Sequence, residues 1–242
     1  MIKEGRCLMK YKRVLLKLSG EILGDNGIGI KEENVMKIAK EIAECAKLGT
    51  QIAVVIGGGN MWRGREHPTM DHSIADKIGM LGTIMNALSL NDALLTLGVK
   101  STVESSVEMN AICEFYNRDK TVKNLNEGNV VIFGGGTSNP YFSTDTAASL
   151  RAAEIHADIL LKATSVDGVY SNDPKTDPNA TRFDKISYID VIEKRLKVMD
   201  TTSISLCMDN DIEIMVFNSR IPGNLKKVLL GEDIGTIIGN IR

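Results

Sequence analysis

Residues 129–145 read NVVIFGGGTSNPYFSTD. Positions 130–133 are four bulky apolar residues in a row, the composition of a strand buried on both faces. Positions 134–136 are glycines placed where such a strand leaves a sheet, so main-chain N–H groups can close on an anion. A loop rich in hydroxyls and amides follows, with Pro140 bracing it. Asp145 ends the loop and is placed to cap or open a helix over residues 146–156.

The chain makes the same move earlier. Residues 52–60, IAVVIGGGN, are a second apolar run ending in three glycines. In open parallel sheets ligands sit outside the carboxyl ends of the strands. Two such junctions therefore point to two phosphate-bearing ligands, or to one long one. Two more apolar runs, 12–19 (KRVLLKLS) and 159–162 (ILLK), each deliver a lysine at the strand's end: Lys17, followed by Leu18, Ser19 and Gly20, and Lys162. A lysine can snorkel out of a sheet edge, but the repetition of LLK at two strand ends points to a shared anion. Arg63, just past the first junction, is a further candidate for a phosphate fork.

Helical periodicity marks residues 31–48, with Val35, Ile38, Ile42 and Cys45 on one face, and 71–97, with a stripe of Ile74, Ile78, Leu81, Met85 and Leu88. Asp76 interrupts the second. The methionine content there suits core or oligomer contact. Residues 24–30 form a flexible glycine-rich turn and 166–181 a polar loop suited to a lid or base clamp. Strands are expected at 99–103, 212–218 and 235–241, and helices at 118–125, 187–197, 200–210 and 222–230. The alternation implies an α/β fold, with residues 1–11 a loose lead-in (Met9 being an alternative start) and 12–242 a single domain.

The bulk numbers narrow the class. With 242 residues, 43% hydrophobic, 25% charged and a formal net charge of −2, the chain has no basic excess to recruit nucleic acid or an anionic membrane. No uninterrupted apolar run reaches membrane-spanning length, and Lys17 breaks the first hydrophobic segment, so a cytoplasmic protein without a signal peptide is expected. Cys7, Cys45, Cys113 and Cys207 are far apart, as are the three histidines. That spacing suggests neither a disulfide frame, a zinc site nor a histidine triad.

What remains is chemistry for in-line phosphoryl transfer, in which fixed cations and N–H donors stabilise charge spread over the moving group. A phosphate acceptor is already anionic and needs no general base. The usual fingerprints, G-x-x-x-x-G-K-[ST] and G-x-G-x-x-G, are both absent.

Together, LLKLSGE, VVIGGGNMWRG, TSNPYFSTD, LLKATSVDGVYSNDP and LKVMD resemble the bacterial uridylate (UMP) kinases of the amino acid kinase family, in order and over essentially the whole chain from residue 10. The resemblance implies a three-layer α/β/α sandwich with a mostly parallel central sheet. It implies phosphoryl transfer from ATP–Mg2+ to UMP, giving ADP and UDP in pyrimidine nucleotide biosynthesis. It also implies a homohexamer activated by GTP and inhibited by UTP. Lys17, Lys162, Asp145 and Asp200 match catalytic positions. Lys17, Leu18, Ser19, Gly20, Gly59, Arg63, Thr164, Tyr170 and Asp173 match ATP contacts. Gly58, Asp76, Thr137, Ser138, Asn139, Pro140, Tyr141, Phe142, Ser143 and Thr144 match the UMP site. Asp25, Asn26, Gly27, Ile28, Gly29 and Ile30 match the segment linked to GTP response. No protein side chain is expected to hold the metal by itself. Ser138, Tyr141 and Ser143 stand where the family often has Gly, Phe and Thr, and the 24–30 turn is about one residue shorter than in some relatives. Two alternatives stay open: a family member forming an acyl phosphate, and a non-catalytic nucleotide-binding protein of the same fold.

Overall fold

A computed structural model describes residues 9–174 and 176–241. Eleven strands alternate with seven helices among them: β1 (Arg13–Leu18), α1 (Glu32–Lys47), β2 (Gln51–Ile56), α2 (His72–Thr96), β3 (Ser101–Ser105), β4 (Glu114–Phe115), α3 (Arg118–Asn126), β5 (Val130–Gly134), α4 (Thr144–Glu154), β6 (Ile159–Thr164), β7 (Val169–Tyr170), β8 (Arg182–Phe183), β9 (Lys185–Ser187), α5 (Tyr188–Glu193), α6 (Thr201–Asp209), β10 (Ile214–Asn218), α7 (Asn224–Leu230) and β11 (Thr236–Gly239). Nine strands form one sheet in the order β4-β3-β5-β2-β1-β6-β10-β11-β9, and β7 pairs with β8 apart from it. Within the large sheet the β10–β11 pairing is antiparallel and the other described pairings are parallel.

The strands' alternate side chains build two cores. Val14, Leu16 and Leu18 of β1 join Val35 and Ile42 of α1, Leu90 of α2 and Val228 of α7 on one face. Leu15 of β1 joins Leu125 of α3, Ala148 of α4, Val191 of α5 and Ile204 of α6 on the other. This is the expected three-layer α/β/α sandwich. Burial on both faces is why these strands read as unbroken apolar runs. The middle of the nine is β1 rather than β5, so the first lysine-bearing strand lies at the centre of the sheet.

Several expectations change in detail. Residues 1–8 of the lead-in, with Cys7, lie outside the described residues, but the Lys10 N–H donates to the Leu229 carbonyl and Tyr11 is buried. Burial pushes the Cys45 and Cys207 thiols up to about 12 and 11, which leaves both as unreactive core residues. Residues 24–30 form a pinned turn, closed by Asp25 and Ile28 bonding each other's backbone and docked on Asn60 through Gly29. The most informative change is in α2. Its stripe of Ile74, Leu81 and Met85 faces outward, 47%, 48% and 48% exposed, while Ala75, Thr83, Asn86, Leu90 and Leu94 face inward. Small and polar side chains let this face lie against backbone. At 25 residues α2 is long and apolar enough to cross a bilayer, but half of the qualifying stretch is buried inside the fold.

One buried charge sits at the edge of the second core. Glu104 on β3 is buried and accepts hydrogen bonds from the Thr121 hydroxyl and, at 3.4 Å, from Asn124 Nδ2. Burial raises its pKa from 4.5 despite both donors. A carboxyl whose folded pKa is raised costs stability once it ionises, so the cost is absent at low pH and appears as pH rises through the raised value. Glu104→Gln should therefore raise the thermal midpoint by about 2–4 °C at pH 8, the shift expected for ~1 kcal/mol in a chain of this size. The gain should shrink toward zero as pH falls to 4.5, as calorimetry across pH would show.

Candidate functional site

Strand register builds the site. Glu104, Phe133, Val55, Lys17, Lys162, Val216 and Thr236 are successive partners across neighbouring strands, one transverse row near the carboxyl ends. Partners in a sheet share a face, and this row lies on the face covered by α3–α6. Lys17 on β1 and Lys162 on β6 are thus direct neighbours. Both are sealed by the core, their side chains only 8% and 13% exposed.

Asp145 answers both. Its Oδ1 accepts from Lys17 Nζ at 2.7 Å and from Lys162 Nζ at 2.6 Å. Burial pushes the Asp145 carboxyl up, but the two ammonium groups outweigh it and hold the pKa below the ordinary range. Burial first, and repulsion from Lys17 second, pull the Lys162 pKa down to about 8, while Asp145 works the other way. Two positive charges and one negative leave a buried surplus of one positive charge. An anion with several oxygens is its natural complement.

Asp145 does not cap the helix. Ser143 does, accepting from the N–H groups of Asp145 and Thr146 at 2.9 and 3.3 Å, so α4 opens at Thr144. The aspartate is thereby free to turn toward the lysines from the first turn, where the helix dipole favours its charge. Asp200, expected in the catalytic set, lies one step back. It caps α6 by accepting the Ser203 N–H at 2.9 Å, and it accepts from the Ser143 hydroxyl and, at 2.9 Å, from that of Thr146. It positions the start of α4 and touches neither lysine through any of these bonds.

The two glycine junctions lie beside the lysines. At the first, close packing explains the sequence: a Cβ on Gly20 would lie 2.3 Å from both Asn60 Oδ1 and the Gly57 carbonyl. Leu18 is core, Ser19 is exposed, and the serine makes no capping bond to the turn that follows. A cavity of about 150 Å3 is lined by Gly58, Gly59, Asp76, Gly136, Phe142 and Thr144, and a wider one of about 740 Å3 opens from it over Glu21, Arg63 and Asp76. Arg63 is held by Glu21 at 2.6 Å and by the Gly59 carbonyl at 2.9 Å, beside Gly27 of the 24–30 turn.

The 137–144 loop reaches over this cavity. The Tyr141 N–H donates to Asp76 Oδ2 at 2.7 Å, and the Tyr141 ring stacks on His72, with centroids 4.6 Å apart. Thr137, Ser138 and Asn139 make a tight local turn in which the Asn139 amide bonds the Thr137 carbonyl and Ser138 N–H the Gly135 carbonyl, before Pro140. Ser138 has φ +65°, a left-handed conformation that glycine enters without strain, which gives the glycine often found there in the family a physical reason.

On the other side of the lysine pair, Lys162, Thr164, Tyr170 and Asp173 line a cavity of about 520 Å3 with Val198 and Val216. Tyr170 donates to Asp167, which pairs with Arg182, so the 166–181 loop is braced at its base. Sequence pattern gave no sign of β4, β7, β8 and β9, which are two or three residues each, or of the roles of Asn60 and Asn86. Those two amides bond each other reciprocally at 2.7 and 2.9 Å beneath the first junction. Asparagine in an apolar helix at residue 86 was the available signal.

The sequence profile of the amino acid kinase family matches residues 12–218. The UMP kinase of Bacillus anthracis has a structure similar to this one, with a TM-score of 0.93, 39% identity, and coverage of 96% of this chain and 97% of that one. The UMP kinase of Ureaplasma parvum is similar at TM-score 0.90 and 36% identity, covering 96% and 100%. The uridylate kinase of Archaeoglobus fulgidus is similar at 0.70 and 28%, covering 93% and 99%. With its fold, its paired lysines and these matches, the chain belongs to the amino acid kinase family.

Proposed function

We propose that this chain transfers the terminal phosphoryl group of ATP to the phosphate of UMP, giving ADP and UDP for pyrimidine nucleotide synthesis. The observation that carries this reading is the lysine pair in register on β1 and β6, sharing Asp145 between two cavities. The likeness to two UMP kinases at 39% and 36% identity supports the choice of acceptor.

The donor nucleotide occupies the cavity of Thr164, Tyr170 and Asp173, with its phosphates over Ser19, Gly20, Gly59 and Lys17. The acceptor occupies the cavity of Gly58, Asp76 and residues 137–144. Lys17 and Lys162 then face the moving group from below and supply the positive charge its oxygens require. Asp145 holds both ammonium groups in place, and Asp200 holds the helix that carries Asp145. Mg2+ arriving with the nucleotide would neutralise part of the phosphate charge. Arg63 leaves Glu21 to meet a phosphate.

GTP and UTP act as effectors, and the 24–30 turn takes part in the GTP response because it packs on Arg63 and Asn60. The outward apolar stripe of α2 is covered by another copy in a homohexamer in the cytoplasm. Light scattering should give the mass of six chains, and Leu81→Glu with Met85→Glu should lower it.

ADP release, followed with ATP–Mg2+ against UMP, CMP, dTMP, glutamate and aspartate, should show strong turnover with UMP alone, and Lys162→Ala should cut it by orders of magnitude while the fold persists. Turnover with an amino acid instead would overturn the acceptor assignment. The Lys162 pKa of about 8 also sets a pH dependence. Its protonated form is the useful one, so kcat/KM for ATP should be level below pH 8 and fall toward tenfold per unit above it. Lys162→Arg should lower the plateau and remove that limb.

A further inference from the structure

We propose that Thr83 and Asn86 of α2 are positioning residues that hold the two glycine-rich junctions in mutual register, Thr83 setting the acceptor junction and Asn86 the junction shared by both substrates. The inference rests on the function proposed above. The Gly135 N–H donates to Thr83 Oγ1 at 2.8 Å, while the Thr83 hydroxyl donates back to the Met80 carbonyl at 2.6 Å. That back-bond fixes the hydroxyl hydrogen and aims a lone pair at the second junction. Asn86 Nδ2 donates to the Gly57 carbonyl at 2.8 Å, and its partner Asn60 donates to the Gly29 carbonyl at 2.7 Å. Thr83 is 3% exposed and Asn86 not at all.

Helix geometry unites these contacts. Positions 76, 79, 83 and 86 recur on one face of α2. Asp76 at its start holds Tyr141 of the acceptor loop. At Gly79 the helix backbone meets the first junction directly, since a Cβ on Gly58 would lie 2.6 Å from the Gly79 carbonyl. Thr83 and Asn86 follow. Both bond to loop atoms beyond the ends of β2 and β5 rather than to the body of the sheet, and those strands are neighbours. One helix face therefore spaces the two neighbouring loops, both of which lie on the β2–β5 side of Lys17 and Lys162. The Gly135 N–H is committed to Thr83 instead of to an anion. Misplacing a phosphate-binding loop by a fraction of an ångström costs transfer rate without loss of fold.

The test separates positioning from plain stability. Thr83→Val keeps shape and removes the acceptor; it should raise KM for UMP about tenfold, the equivalent of one buried hydrogen bond, with KM for ATP within twofold. Thr83→Ser should restore it. Asn86→Leu should raise both KM values. In the free protein, amide exchange should speed up at residues 134–137 in Thr83→Val and at 57–61 in Asn86→Leu, each leaving the other segment unchanged. Equal changes in both KM values for Thr83→Val, no recovery in Thr83→Ser, or unaltered exchange would overturn the proposal; Thr83→Ala replaces Thr83→Val if the latter does not fold. If wild-type protein turns over no UMP, the proposed function fails, and the exchange pattern still decides the positioning role.

Discussion

Two ammonium groups held out of water around a single carboxylate are the constraint on which this structure turns. Charges in a protein interior are tolerated when paired and hydrogen-bonded. Here the pairing is incomplete, two lysines to one aspartate, and the surrounding core of Leu15, Val55 and Phe133 leaves the cluster little contact with water except where Lys162 lines its cavity. The strain shows in Lys162, whose proton is held loosely enough for its pKa to fall to about 8. The surplus positive charge is complementary to an anion with several oxygens. The central sheet is what keeps the charges together. Parallel pairing sets Lys17 beside Lys162 as rigidly as any two core residues.

Beside that cluster lie the two glycine junctions. At Gly58 and Gly134 a side chain would collide with α2, at the Gly79 carbonyl and at Ile84, and Thr83 and Asn86 of the same helix bond the backbone of the two junctions. The opposite side of the same helix is apolar and open. So one element faces the substrates' loops with polar and small residues and faces outward with Ile74, Leu81 and Met85.

Much of this was legible in the linear pattern. Continuous apolar runs located β1, β2, β5 and β6 to within a residue or so, because strands buried on both faces cannot alternate. The repeated LLK ending located both lysines. The amphipathic pattern of α1 held, with Val35, Ile42 and Cys45 buried as spaced. The stripe on α2 did not mean what its period suggested. Periodicity finds an inner face only when the other face is polar, and α2 is apolar on both: Met80, Ile84, Leu90 and Leu94 are buried while Ile74, Leu81 and Met85 are exposed. Of the two places open to Asp145, capping α4 or opening it, the structure takes the second. Ser143 and Asp145 are both good capping residues, and their competition was decided by Lys17 and Lys162, far away in sequence.

Local composition was enough for the two glycine junctions and the two strand-end lysines, and motif order for the family, whose resemblance carried the layers with it. Long-range pairing was needed to put the lysines in register, to bring one carboxylate to both, to set Asp200 at the start of two helices and to carry Asn86 and Thr83 to the loops. The physical reason is that strand order and register are properties of pairing between distant segments. β1 lies between β2 and β6 although more than a hundred residues separate β2 from β6 in the chain, and no local propensity encodes which strands will meet.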